Sequence, residues 1–422
     1  MKHKFLLSII LGGIWLAVSI WFAIWWAQDV SHFLPAIYVW CVIIGIALLP
    51  GFLMGAMFFY NILHSKVKKH EDVSEPTTVI MCAHNEEANI SEAICCMCQQ
   101  IYAGDIRLLV VDNRSTDSTK QCIESAITFG TEKCSVEYVY CKKIGKQKAL
   151  NHALRRVKTK YFITVDADTY LERHAVQHIM NHIVHEKSAC VAGNLFVKNA
   201  KSTLVAKMQN YDYLLSIAAI KRFQGSYKST LVAQGAFSAY ETKEVKALGG
   251  WKNCLGEDIV LTYQILKQGK ASTYEPKAVG YTTVPHTLDG LYNQRKRWAI
   301  GMLEGFAHVK PWEQETGYSK YFTWVNTSIV YLDLAYLFGF IPGLFFALFG
   351  YYYFIGCLTV LALLVSMLLY FSMYRYQQKL NIPFQNSIIG FVCFLLFFQL
   401  IQSTAALHGY FICLFNGKGE WK

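Results

Sequence analysis

The apolar residues of this chain are gathered toward its two ends, and that placement limits its folds more than any other feature. Residues 5–27 form an apolar run free of charge, and residues 33–63 form a second. Each is long enough to cross about 30 Å of hydrocarbon as a helix. Only the short polar link Gln28-Asp29-Val30-Ser31-His32 parts them. Three more apolar blocks follow at 321–349, 351–374 and 388–415, so five spans are predicted. The first run reads as a retained span rather than a cleaved leader. It exceeds the roughly 7–15 residues of a signal h-region, lacks a small-x-small site after it, and is followed at once by another span. Asp333, inside the third block, is costly in lipid and is expected to face protein or water.

The charged residues occupy the middle. Only 16% of the chain is charged and 54% is hydrophobic, against about 25% charged in ordinary soluble domains. A wholly soluble protein is therefore excluded, and so is a wholly membrane-embedded one, because 40 Lys+Arg and 29 Asp+Glu need water. The apolar content also excludes intrinsic disorder. The predicted organisation is a pair of membrane helices in residues 1–65, an aqueous domain over 66–320 with an interfacial segment near 290–320, and about three membrane helices in 321–422. Lys2 and Lys4 precede the first span, Lys66, Lys68 and Lys69 follow the second, and Arg375 and Lys379 lie between the fourth and fifth. With five spans all fall on one side, which the positive-inside rule makes the cytoplasm; Lys418 and Lys422 oppose this. The expectation is a multi-pass protein of the cell (inner or plasma) membrane with its central domain in the cytoplasm. The net charge of +11 suits anionic lipid or a phosphate-bearing substrate. Nucleic acid is not expected as a partner, since no basic strip is interleaved with aromatics on a soluble fold.

Within the aqueous part, β-rich runs alternate with helical patterns. Strands are predicted at Thr77–Ala83, 106–111, 136–140 and 161–165, with helices running to Gln100, from about Thr116, and over 146–157. This alternation argues an α/β domain with a mostly parallel sheet. Such sheets bind ligands beyond the carboxyl ends of their strands. The polar clusters fall there: His84-Asn85-Glu86, Asp112-Asn113 and Asp166-Ala167-Asp168. Asp166 and Asp168, spaced i and i+2, share a face where the strand continues. Two adjacent carboxylates repel unless a cation lies between them, so the pair suggests a clamp for Mg²⁺ or Mn²⁺ and a diphosphate; a solvated turn is the plain alternative. Asp112 suits a base or ribose, or else an Asx turn, with Asp117 or Ser115 left to cap the next helix. Lys146 is a candidate phosphate partner, or a solvated helix start. Cys95, Cys96 and Cys98 lack a second Cys/His pair at zinc-finger spacing and read as packed thiols. Trp251, Cys254 and His286 read as core.

The ordered set of motifs resembles the processive family 2 glycosyltransferases of membranes, the cellulose, chitin, hyaluronan and poly-β-1,6-N-acetyl-D-glucosamine synthases. It comprises Ala83-His84-Asn85-Glu86-Glu87, Asp112-Asn113-Arg114-Ser115-Thr116-Asp117, Gly145-Lys146-Gln147-Lys148, Asp166-Ala167-Asp168, Gly256-Glu257-Asp258, and Gln294-Arg295-Lys296-Arg297-Trp298. The last has the family's Q-x-x-R-W form. The resemblance covers about residues 77–305 and implies a GT-A (Rossmann-like) fold and inverting transfer from a UDP-sugar donor. It implies that Asp112 holds uridine with Lys146 near the nucleotide, that Asp166 supports it, and that Asp168 binds the metal. Asp258, beside Glu257, would be the general base, with Gln294, Arg297 and Trp298 lining the diphosphate and acceptor end. Asn113 replaces a usual Asp, and Gly256 a usual Thr. Spans on both sides of the domain suggest a product that meets or crosses lipid. A growing polysaccharide built from UDP-N-acetylglucosamine is the leading expectation. Transfer to a lipid acceptor, another synthase type of the same family, and a catalytically dead nucleotide-sugar scaffold are the competitors. A small membrane partner subunit is compatible with this pattern.

Overall fold

The computed structural model describes residues 2–64, 68–353 and 357–415. Lys66, Lys418 and Lys422, which enter the charge argument above, lie outside the described residues. The aqueous part is built on one eight-stranded sheet: β1 (Thr77–Ala83), β2 (Ile106–Asp112), β3 (Cys134–Tyr140), β4 (Tyr161–Asp166), β5 (Thr169–Leu171), β6 (Cys190–Val197), β7 (Phe237–Glu241) and β8 (Ser272–Thr282), in the order β3-β2-β1-β4-β7-β6-β8-β5. β1 to β4 run parallel, β6 and β8 run parallel to each other, and β7 is antiparallel to both β4 and β6.

The alternation of residues along each strand explains the layers. Val79, Met81, Leu108, Val110, Ile163 and Val165 point to one face and pack on helices Ile90–Cys98, Thr119–Ala126 and Ala175–Glu186. Ile80, Leu109, Val111 and Phe162 point to the other and pack on helices Lys146–Leu154, Thr242–Ala247 and Glu257–Lys267. Covering both faces is what buries continuous apolar strands such as Leu108–Val111. Trp251 and Cys254 are buried as expected, with Trp251 packed on Phe162 and Tyr240. His286 is exposed instead. It follows the end of β8 in a loop, and its carbonyl rather than its ring is used, accepting from Thr203 Oγ1 at 3.1 Å.

Among the described residues, four helices are long and apolar enough to cross a membrane: His3–Ser31, Ala36–Leu63, Gly317–Ala347 and Ile388–Phe415. The other block predicted to span, 351–374, contributes to helix Cys357–Lys379, which is not among those four. Its polar end joins the aqueous part, with Tyr376 lying 3.6 Å beneath the Arg222 guanidinium. Small residues let the membrane helices approach closely. The ring of Trp15, for example, lies where a side chain on Gly51 would stand. Asp333 faces protein, as expected: Ser403 Oγ and Tyr410 Oη donate to its two oxygens at 2.7 and 2.8 Å.

Candidate active site

The register of the sheet places the predicted clusters together. Ala83 pairs with Asp112, and Cys82 with Asp166, so β1, β2 and β4 end side by side. Asp112 is buried, with Ser115 N donating to Oδ1 at 2.9 Å and Tyr138 Oη to Oδ2 at 3.1 Å. It therefore shapes the turn after β2 through one oxygen. Asp117 accepts from Thr119 N at 3.0 Å and caps the following helix.

Asn113 explains its departure from the usual Asp. Its amide donates to Lys143 O at 2.7 Å, and its carbonyl oxygen accepts from Gly145 N at 2.8 Å. A carboxylate accepts only and leaves Lys143 O without this donor. The brace holds the loop whose last residue, Gly145, has φ +132°, a conformation that L side chains avoid. Lys146 then opens helix Lys146–Leu154 and reaches back to Asp166 Oδ1, 2.5 Å away. Burial works against the lysine's charge, yet Asp166, Glu257 and Asp258 together hold its proton more tightly than in free lysine.

Segment 232–236 ties the acids to one another. Asp166 N donates to Ala236 O at 3.2 Å, and Gly235 N donates to Asp258 Oδ2 at 3.2 Å. Ile259 N donates to the other Asp258 oxygen at 2.8 Å, which orients the carboxylate. Lys146 Nζ would lie 3.1 Å from a Cβ at position 235, so glycine leaves room for the lysine. Glu257 is buried, and burial, followed by repulsion from Asp258, pushes its pKa up to about 8. Glu257 therefore keeps its proton near neutral pH and is a poor base.

Asp168 lies just beyond β4, where the hydroxyls of Thr169 and Thr282 approach its Oδ1 at 3.4 and 3.5 Å. Burial, then the charges of Asp166 and Glu86, push its pKa up to about 7. Glu86 is raised too, first by burial. Asp166, Asp168 and Glu86 thus act on one another electrostatically at this edge, with Lys146 opposing the charge on Asp168. That excess of anionic oxygen donors fits a hard divalent cation such as Mg²⁺ or Mn²⁺.

Residues 78–249 match the family described as Glycosyl transferase family 2. That stretch, which holds the acids and lysine described above, is similar to the family 2 glycosyltransferases. It is 27% identical over 260 residues to the poly-beta-1,6-N-acetyl-D-glucosamine synthase of Staphylococcus aureus (strain COL), a match spanning 59% of this chain and 61% of that protein. It is 25% identical over 280 residues to the synthase of the same name from Staphylococcus epidermidis, spanning 63% of this chain and 66% of that one. Among solved structures, a mannosyltransferase from Pyrobaculum calidifontis in complex with GDP-Man and Mn²⁺ shares the fold, with a TM-score of 0.54 at 17% identity over 88% of this chain and 99% of that one.

The sheet domain is followed by helix Leu288–His308, which carries the Q-x-x-R-W residues and leads toward the C-terminal apolar helices. Gln294 is half-buried, Arg297 exposed and Trp298 43% exposed. Arg295 is not the solvent-facing base that the run Arg-Lys-Arg suggests. It is buried, ion-paired to Asp212 Oδ2 at 2.7 Å, and lies 4.2 Å over the Trp298 ring. The pair Arg295/Trp298, at i and i+3 on a helix, carried that signal; Asp212, far off in sequence, did not.

Two features of this helix escaped the sequence reading. Glu304 Oε2 accepts from Leu255 N and Gly256 N at 2.8 and 2.9 Å. Gly256 and Gly301 touch backbone to backbone, a Cβ on Gly256 falling 2.5 Å from Gly301 Cα. The helix is thereby pressed onto the turn immediately before Glu257-Asp258, and glycine in place of the family's Thr has a steric reason.

Proposed function

We propose that the chain is a membrane-bound, inverting, metal-dependent glycosyltransferase that adds N-acetylglucosamine from UDP-GlcNAc to a growing β-linked polysaccharide, processively, and assists its export. The carrying observation is the joining of Lys146, Asp166 and Asp258 at one sheet edge, bridged by segment 232–236, with Asp168 close enough to feel the charge of Asp166. In this reading Asp112 holds the uridine, and Lys146 and Asp166 support the nucleotide. Asp168 binds Mg²⁺ or Mn²⁺, which neutralises charge on the departing diphosphate. Asp258 takes the proton of the acceptor hydroxyl as that oxygen attacks the anomeric carbon, one base serving one displacement. Glu257, protonated, stands beside it without competing. Gln294, Arg297 and Trp298 line the diphosphate and acceptor end, Trp298 offering its half-exposed ring to a sugar face.

The polysaccharide reading draws on the names of the staphylococcal relatives. The four apolar helices support a site at the membrane surface, and the lysines flanking the first two spans favour the cytoplasm for the catalytic part. The test is to incubate membranes holding the full chain with a panel of radiolabelled UDP-sugars and divalent metals, size the product, and digest it with linkage-specific hydrolases. A metal-dependent polymer ladder from UDP-GlcNAc is expected. A single glycolipid refutes processive synthesis in favour of a lipid acceptor, and a ladder from another donor refutes the sugar.

A further inference from the structure

A second cluster of ligating side chains lies at the opposite end of the sheet from Asp168. Thr282, at the end of β8, approaches Asp168, whereas Thr273 and Glu275 sit at that strand's beginning. Seven residues of strand separate Glu275 from Thr282, roughly 20 Å. There an imidazole nitrogen of His70, one of His182 and a carboxylate oxygen of Glu275 lie within 4.8 Å of one another. The three come from separate parts of the fold: the segment between helix Leu49–Leu63 and β1, helix Ala175–Glu186, and β8.

We propose that His70, His182 and Glu275 bind Zn²⁺, and that the ion staples the segment leaving the membrane helices to the sheet. Several observations fit. His70 Nε2 is buried and has no hydrogen-bond partner. His182 Nδ1 lies 2.8 Å from Glu275 Oε2, while its Nε2 lies 3.1 Å from Thr273 Oγ1. Zinc-bound histidines characteristically use one nitrogen on the metal and the other on such a partner. Glu275 is oriented in turn, its other oxygen accepting from Lys277 N at 2.9 Å. Zinc bonds of 2.0–2.2 Å place tetrahedral donors about 3.4 Å apart, so side-chain movements on the order of 1 Å close the site.

The surroundings define the ligand count. Glu186 Oε1 is 3.8 Å from His70 Nε2 but is held by Lys68 Nζ at 2.6 Å. His185 stacks on His70 and gives its Nε2 to Glu71 O at 3.0 Å, so it is not a ligand. A cavity of about 300 Å³ bordered by His182, Glu186, Thr273, Glu275 and Arg222 adjoins the cluster and has room for a water as fourth ligand. Two imidazoles and one carboxylate suit zinc better than Mg²⁺ or Ca²⁺, which prefer oxygen alone. The segment is already docked: Asn181 Nδ2 donates to Asp72 Oδ1 at 2.9 Å, and Gln177 Nε2 donates to Val73 O at 3.0 Å.

The test uses the full chain in detergent with Asp168→Asn, which removes the proposed catalytic metal ligand. After chelation, zinc reloading and dialysis against Mg²⁺, about one zinc per chain is expected by elemental analysis. The zinc-loaded form should melt at higher temperature than the stripped one. His70→Ala and His182→Ala should each lose both effects, and Thr273→Val should weaken zinc about 10- to 100-fold. Cobalt in place of zinc should give the visible bands of a four-coordinate nitrogen–oxygen site, a readout that needs no variant to fold. No retained zinc, six-coordinate cobalt bands, or unchanged zinc in folded His70→Ala would each overturn the staple.

Discussion

Alanine at Gly301 is expected to slow sugar transfer about 100-fold while leaving the chain folded. The added Cβ falls 2.8 Å from Gly256 Cα and 3.2 Å from Gly256 N, closer than van der Waals contact and against backbone that cannot rotate away. Helix Leu288–His308 must therefore draw back from the turn before Glu257. That also stretches the bonds from Leu255 N and Gly256 N to Glu304 Oε2. Overpacking of this kind costs about 1–3 kcal/mol, and alanine returns about 0.5–1 kcal/mol in a helix interior. The net loss of about 1–2 kcal/mol is a modest fall in melting temperature. Turnover suffers more, because Asp258 moves with the turn, and a misplacement of about 1 Å costs roughly 100-fold. The assay is UDP release by purified protein in detergent, with melting measured alongside. Gly317→Ala is the control: nothing lies within 4 Å of its Cβ, so wild-type turnover is expected. Unchanged turnover in Gly301→Ala would refute the claim that this backbone contact sets the position of Asp258.

Asp258→Asn should lower transfer by about 10²- to 10⁴-fold, the usual worth of a positioned base, with UDP-sugar affinity by titration calorimetry nearly unchanged; full activity would remove Asp258 from that role. Because Asp168 titrates near pH 7, metal affinity should fall about tenfold for each pH unit below 7 and level off above it, as read by Mn²⁺ binding. For the metal-free protein the sign is reversed. A carboxyl raised from 3.8 to about 7 adds stability that is complete in acid and lost as pH climbs from about 4 through 7, on the order of 4 kcal/mol; Asp168→Asn should flatten that slope in melting curves. Arg295→Met should destabilise by about 3–5 kcal/mol because it leaves Asp212 charged and buried. Adding Asp212→Asn should restore most of the melting temperature; no recovery would refute the pairing.

The strands and their ends were legible because the signals are local. β1 is predicted residue for residue at Thr77–Ala83, and the helix over 146–157 starts as predicted at Lys146 and ends at Leu154. Continuous apolar runs mark strands covered on both faces, and a polar cluster after each marks the edge where ligands gather. The long apolar runs likewise declare themselves by length. The antiparallel insertion of β7 between β4 and β6 was not legible, since it depends on partners distant in sequence.

The chain's order of residues by itself therefore determined which acids, lysine and apolar runs are present and which end of the sheet the acids occupy. Tertiary structure alone decided their state. Glu257 reads in the sequence like any carboxylate, yet burial, followed by repulsion from Asp258, makes it keep its proton. Arg295, Lys296 and Arg297 read as one basic run until the helix turns Arg295 inward onto Asp212. His70, His182 and Glu275 are unremarkable apart and converge only when the sheet is assembled. Charge state and coordination depend on solvent exclusion and on neighbours a few ångströms away, and the fold brings many of those neighbours from distant parts of the chain.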